Sequence, residues 1–127
     1  KLFECMSICA PRLGQEAVIE GLAKAIDWRR ERVREIREKQ SRFEAVFSKK
    51  PGGFKLCASG AFYGWVQHPM LKERTNLVVR RLLMNHGILV LDGTIFTPTD
   101  LRYLRFSFGS LSLNEIDELG DRLRDFR

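Results

Sequence analysis

Through the first third of the chain, Val18, Leu22, Ala25, Ile26, Val33, Ile36, Phe43 and Phe47 recur mostly at steps of three, four and seven, with charge filling the intervals. That spacing draws one apolar stripe along an amphipathic helix. It predicts a single long helix, open to a bend, from Gln15 to about Phe47. The residues before it, Leu2 to Pro11, read either as a short extended entry or as the end of an earlier helix. Pro51-Gly52-Gly53 then stops the helical pattern, because proline cannot continue a helix and the glycines permit tight turns.

Beyond that stop the period changes. Phe54 to Cys57 and Ala61 to Gln67 are rich in aromatic and β-branched residues and predict two strands, with Ser59-Gly60 as the link between them. Leu71, Leu77, Val78, Leu82 and Leu83 return to a helical repeat, predicting a helix over Leu71 to Asn85 that ends at Asn85 to Gly87. Ile88 to Leu91 predicts a short strand, Asp92-Gly93 a turn, and Thr94 to Thr97 a short extension. The run Leu101 to Phe108 predicts the last strand. A final helix follows, capped by Ser112 or Asn114 and burying Ile116, Leu119, Leu123 and Phe126. This order specifies an α+β fold, a small, largely antiparallel sheet with helices packed on one side, preceded by a long helix that outruns the sheet and suggests a strut toward another domain.

Composition narrows the picture only slightly. The 127 residues suit one globular domain. A net charge of +6 invites a nucleic-acid reading, but the basic stretch from Arg29 to Arg42 is interleaved with Glu31, Glu35 and Glu38. Glu35 with Lys39 and Glu38 with Arg42 are four apart in the order that favours pairing on a helix. That makes the run a solvated helix face, and no aromatic residues interleave with it for base stacking. Cys5, Cys9 and Cys57 form no Cys-x-x-Cys pair and cannot complete internal disulfides, so they read as reduced thiols of a cytoplasmic protein. No apolar run is long enough to cross a bilayer. The chain starts at Lys1 with its first methionine at Met6, and is expected to be a piece of something longer.

The chemistry that stands out is Arg105. Along the last strand Leu104, Phe106 and Phe108 share one face, while Tyr103, Arg105 and Ser107 share the other. A guanidinium on a rigid strand offers a fixed fork that fits a carboxylate through two parallel hydrogen bonds. The other reading is an arginine lying along a half-exposed sheet with its head in water. His68 and His86 have no partner at metal-ligand spacing and are assigned to structure.

Five segments, in order, carry a family resemblance. They are Ala10-Pro11-Arg12-Leu13-Gly14-Gln15-Glu16-Ala17, the turn from Trp28 to Arg32, Gly60-Ala61-Phe62-Tyr63-Gly64-Trp65-Val66, His86 to Phe96, and Leu104-Arg105-Phe106-Ser107-Phe108. Together the chain resembles the small C-terminal domain of the class I/II, fold-type I aminotransferases, over nearly its whole length. One departure is Asp92, where the common pattern has proline before the glycine. The resemblance implies that residues 1–127 form this small domain. It further implies that Arg105, and not Arg102, grips the α-carboxylate of an amino-acid substrate. Phe62, Tyr63 and Phe96 are then candidates to line the substrate side, with ordinary sheet packing as their other reading.

The same resemblance implies pyridoxal phosphate as cofactor, amino acids and 2-oxo acids as substrates, a large domain of the same polypeptide, and a homodimeric parent active in amino-acid metabolism. Transamination needs a lysine for the cofactor, an acidic partner for its ring nitrogen and a phosphate cradle. In the family these lie upstream of everything matched here. Ser48-Lys49-Lys50-Pro51-Gly52 is superficially similar to the cofactor-lysine signature, but its spacing is wrong, the later arginine-glycine element is absent, and it follows the long helix rather than preceding it. Lys49 and Lys50 therefore read as a solvated turn, and the chain alone is not expected to be catalytically competent. Two other readings remain open: an aminotransferase-like sensor domain of a transcription regulator, and a basic domain that binds nucleic acid through phosphates.

Overall fold

The structure, a computed structural model, describes residues 11–126. The expected entry over residues 2–10, with Cys5 and Cys9, lies outside the described residues. The chain divides into two compact units, one up to Arg34 and one from Glu35 onward.

In the first unit, helix α1 spans Arg12–Lys24. Helix α2, Ile26–Ser48, begins in this unit and runs on into the second. The single long helix read from the stripe is thus broken at Ala25, which leaves helical geometry at φ −98° and ψ 30° while its N–H still reaches Gly21 O. The apolar period continues across the break, so the pattern alone gave no warning of it. None of the α1 residues is buried, and Val18, Leu22 and Ile26 of the stripe are exposed. Periodicity marks a face; it does not supply a partner for that face.

The second unit holds the sheet. Strands β1 (Lys55–Gly60), β2 (Tyr63–Gln67), β3 (Leu91–Asp92) and β4 (Tyr103–Ser107) form one antiparallel sheet in the order β1-β2-β4-β3. The link between the first two strands falls at Ala61-Phe62 rather than at Ser59-Gly60, which belong to β1. Ala61 takes the positive φ of 50° that closes the turn. The β1–β2 register slips between Leu56 and Ala58, leaving Cys57 as the extra residue of an irregular ladder. Of the strand expected over Ile88 to Leu91, only Leu91 pairs, joined by Asp92. The turn expected at Asp92-Gly93 is a 3-10 turn over Gly93–Ile95, which Asp92 caps by accepting from Thr94 N–H, and the extension expected over Thr94 to Thr97 is not a strand.

Helix α3, Thr75–His86, starts later than its apolar period suggested and stops at Gly87, whose φ of 63° is the left-handed C-terminal stop that favours glycine. Helix α4, Leu113–Arg124, begins at a reciprocal cap between Ser112 and Glu115, and the Ser112 hydrogen bonds hold the Glu115 carboxylate below its ordinary pKa. Ile116, Leu119, Leu123 and Phe126 are buried as expected. They join Phe43, Phe47, Val66, Val78, Leu82, Leu104, Phe106 and Phe108 in one core. Lys39 pairs with Glu35 as the sequence suggested. Arg42, in contrast, turns from Glu38 to Asp117 of α4, donating through Nε at 2.7 Å and Nη2 at 2.5 Å.

A polar network, buried at His68 and Thr75, ties the connection before β4 to α3. Asp100 accepts from Thr75 N–H at 2.9 Å and from the Thr75 hydroxyl. Because that hydroxyl donates to a carboxylate, His68 Nε2, 3.1 Å away, must be the donor in its contact with Thr75 Oγ1. The neutral ring's Nδ1 is then an acceptor, buried without a partner. Burial, followed by the charge of Arg102, lowers the His68 pKa from its ordinary value.

Two predictions follow from this packing. A Cβ on Gly64 would lie 2.3 Å from Phe43 Cε1; Gly64→Ala is expected to destabilise the second unit by about 1–3 kcal/mol, measured by urea unfolding, and an unchanged midpoint would contradict the contact. His68, with its folded pKa depressed, stabilises the fold fully above the ordinary histidine pKa of about 6.5, and that contribution is lost as pH falls through the lower folded value. Unfolding curves between pH 7.5 and pH 5 are therefore expected to show falling stability, with a flatter slope in His68→Gln.

Candidate functional site

Alternation along β4 sends Leu104 and Phe106 inward, with Phe108 buried just beyond the strand, and leaves Arg105 half-buried on the opposite face. Its cross-strand neighbours are Trp65 on β2 and Leu91 on β3. The guanidinium carbon of Arg105 lies 4.4 Å from the Tyr63 ring centre and 4.5 Å from that of Phe96. Tyr63 belongs to β2 and Phe96 follows β3, so the two rings approach from the two sides of β4. Among the described residues no hydrogen-bond acceptor or acidic side chain engages the Arg105 guanidinium. Its charge is met by aromatic faces alone, within the distance at which a ring quadrupole attracts a cation.

Of the four residues singled out in the sequence, the structure therefore brings Arg105, Tyr63 and Phe96 into direct contact. Phe62 stands one ring further out, its centroid 4.4 Å from that of Tyr63, exposed at the hairpin turn. Two more aromatic side chains complete this face. Trp65 packs against Tyr103 at 5.4 Å and edge-on to Phe96 at 5.9 Å. The alternation that placed Tyr103 beside Arg105 applies equally to Tyr63 and Trp65, so Trp65 was legible but was not singled out. Beside Arg105 a shallow depression is lined by Ala58, Ser59, Gly60, Tyr63, Gly64 and Trp65.

Arg102 is placed differently. Its N–H donates to Asp100 and its Nη1 donates to His68 O at 3.1 Å, which ties the side chain to the backbone at the far end of β2. Arg102 fixes a loop, while Arg105 keeps its donors free among the described residues. His68 is buried in the polar network and the His86 ring lies against Phe126 at 5.2 Å. Lys49 and Lys50 are exposed at the turn after α2. No group of His, Cys, Asp and Glu among the described residues is placed to hold a metal ion.

Fold and face together define an α+β domain that presents a cationic fork within an aromatic surface on the open side of a small sheet. Over residues 5–123 the sequence matches the model of aminotransferase class I and II, and the chain belongs to that family. It is 27% identical over 124 residues to the aromatic aminotransferase ISS1 of Arabidopsis thaliana, a match covering 98% of this chain and 31% of that protein. Among solved structures it is similar in fold to cystalysin from Treponema denticola, a crystal structure that contains a pyridoxal 5'-phosphate cofactor. There the TM-score is 0.73 at 18% identity, over 91% of this chain and 30% of that one. The aromatic aminotransferase of Pyrococcus horikoshii OT3 gives a TM-score of 0.54 at 18% identity, over 77% of this chain and 25% of that one. The chain spans about a third of the length of the curated relatives it matches.

Proposed function

We propose that this chain is the small C-terminal domain of a pyridoxal-phosphate-dependent aminotransferase, which moves an amino group between an amino acid and a 2-oxo acid, and that Arg105 binds the substrate α-carboxylate. The observation that carries the reading is the state of the Arg105 guanidinium. It is held on a strand, flanked by the Tyr63 and Phe96 rings, and engaged by no acceptor among the described residues. A carboxylate approaching from outside would meet a bidentate donor already deprived of part of its hydration, so the pair would form at reduced desolvation cost.

The described residues do not fit the cofactor itself. No lysine lines the depression beside Arg105. Lys39 is committed to Glu35 and to Gly109 O, and Lys24 to Glu20. The residues that hold pyridoxal phosphate belong, in this proposal, to a large domain of the same polypeptide, and the whole enzyme is a homodimer. Here the small domain binds and orients the substrate. No helix among the described residues is long and apolar enough to cross a membrane, and the exposed, unpaired Cys57 suits a cytoplasmic setting.

In the enzyme that carries this chain, Arg105→Ala is expected to raise the amino-acid KM by at least about tenfold, the scale of a lost charge-assisted hydrogen-bond pair. The visible absorption of the bound cofactor should stay unchanged. Steady-state kinetics indistinguishable from the parent would refute the assignment. The 127-residue chain by itself, supplied with pyridoxal phosphate, is expected to show no amino-group transfer in a coupled assay.

A further inference from the structure

Arg105 lacks the means by which proteins usually fix an arginine. A guanidinium on a long side chain carries about 2 kcal/mol of rotamer entropy, and is ordinarily held by a carboxylate or by backbone carbonyls. Neither engages Arg105 among the described residues. What touches it is the Tyr63 ring at 4.4 Å and the Phe96 ring at 4.5 Å.

We propose that Tyr63 and Phe96 are positioning residues that hold the Arg105 guanidinium between them, fixing its orientation while leaving its hydrogen-bond donors to the substrate carboxylate. This rests on the reading of Arg105 as the carboxylate-binding group. A carboxylate neighbour would fix the same side chain, but it would occupy the fork and neutralise the charge that an incoming carboxylate needs. Aromatic faces attract the cation and take none of its in-plane donors.

Each ring is itself supported. The Tyr63 backbone is set by β2 and its ring is backed by Phe62 at 4.4 Å. Phe96 closes the 3-10 turn after β3, with its N–H on Gly93 O at 2.9 Å and its ring edge-on to Trp65 at 5.9 Å. The turn is in turn fixed by the Asp92 cap on Thr94. One ring therefore comes from the sheet and one from a capped turn, and together they flank β4 from both sides.

The test is a mutant cycle in the cofactor-loaded enzyme that carries this chain, assayed with whichever common L-amino acid turns over fastest. Tyr63→Leu and Phe96→Leu remove the rings but keep apolar volume, and circular dichroism and melting curves confirm that each variant is folded. Each is expected to raise KM by about threefold, and both together by about tenfold, with kcat at saturation nearly preserved. Tyr63→Phe, which restores the ring without the hydroxyl, is expected to recover most of the affinity lost in Tyr63→Leu. In an Arg105→Ala background the leucine substitutions are expected to add almost nothing, because they act through Arg105. If the same KM increase persists in that background, the rings contact substrate themselves and the positioning role is overturned. If the leucine variants bind normally while Arg105→Ala is defective, the positioning role fails and the carboxylate reading survives. If Arg105→Ala is itself normal, both fall.

Discussion

The ring of Phe43 occupies the space that any side chain at residue 64 would fill. This close approach lets the second half of α2 lie directly on β2, with Phe43 also stacked near Phe47 at 4.5 Å and Phe108 at 5.0 Å. Gly120 does the same for α4, where an added Cβ would meet Val46 at 2.7 Å. With one side of the sheet filled by helices at such short range, alternation leaves Tyr63, Trp65, Tyr103 and Arg105 nowhere to point except the other side. The aromatic surface around Arg105 is the complement of the Phe43 contact.

The electrostatics divide along the same line. On the helices, cations are matched to nearby anions: Arg30 with Asp27, Lys39 with Glu35, Arg42 with Asp117, Arg122 with Glu118. The Arg42 contact holds the Asp117 carboxylate below its ordinary pKa, as expected of a direct guanidinium partner. Pairs of this kind on a helix surface are individually weak, and three of them engage Arg30, Lys39 and Arg42 of the basic stretch that makes the sequence look suited to nucleic acid. Arg105 differs from them because aromatic rings flank it and, among the described residues, no acceptor takes its donors.

How much of this was legible depends on the range of the interaction involved. The two faces of β4, the apolar side of α4 and the Gly87 stop are properties of adjacent residues, and the spacing of Leu104, Arg105 and Phe106 carries them directly. The break at Ala25, the short β3 and the turn at Ala61-Phe62 are not, because the apolar period runs through the first and local composition at the others fits more than one backbone path. Phe62, Tyr63 and Phe96 entered as candidates to line the substrate side through family resemblance. Their separate distances from it, two rings in contact and one a layer outside, depend on which strands adjoin β4. The network of His68, Thr75 and Asp100 had no signature, since its members are distant in the chain and meet only because β2, α3 and the segment before β4 converge.

The sheet also has an open border. In the order β1-β2-β4-β3, β1 has a partner on one side only among the described residues, and the backbone groups of its outer side are a template on which another extended chain could grow. The slipped register at Cys57 bends that row out of regular spacing, and exposed Lys55 sets a charge at its start. Both features oppose stacking of one sheet edge upon another. The irregularity in the first strand thus comes just before Ala58 and Ser59, which line the depression beside Arg105, and at the same time works against edge-to-edge aggregation.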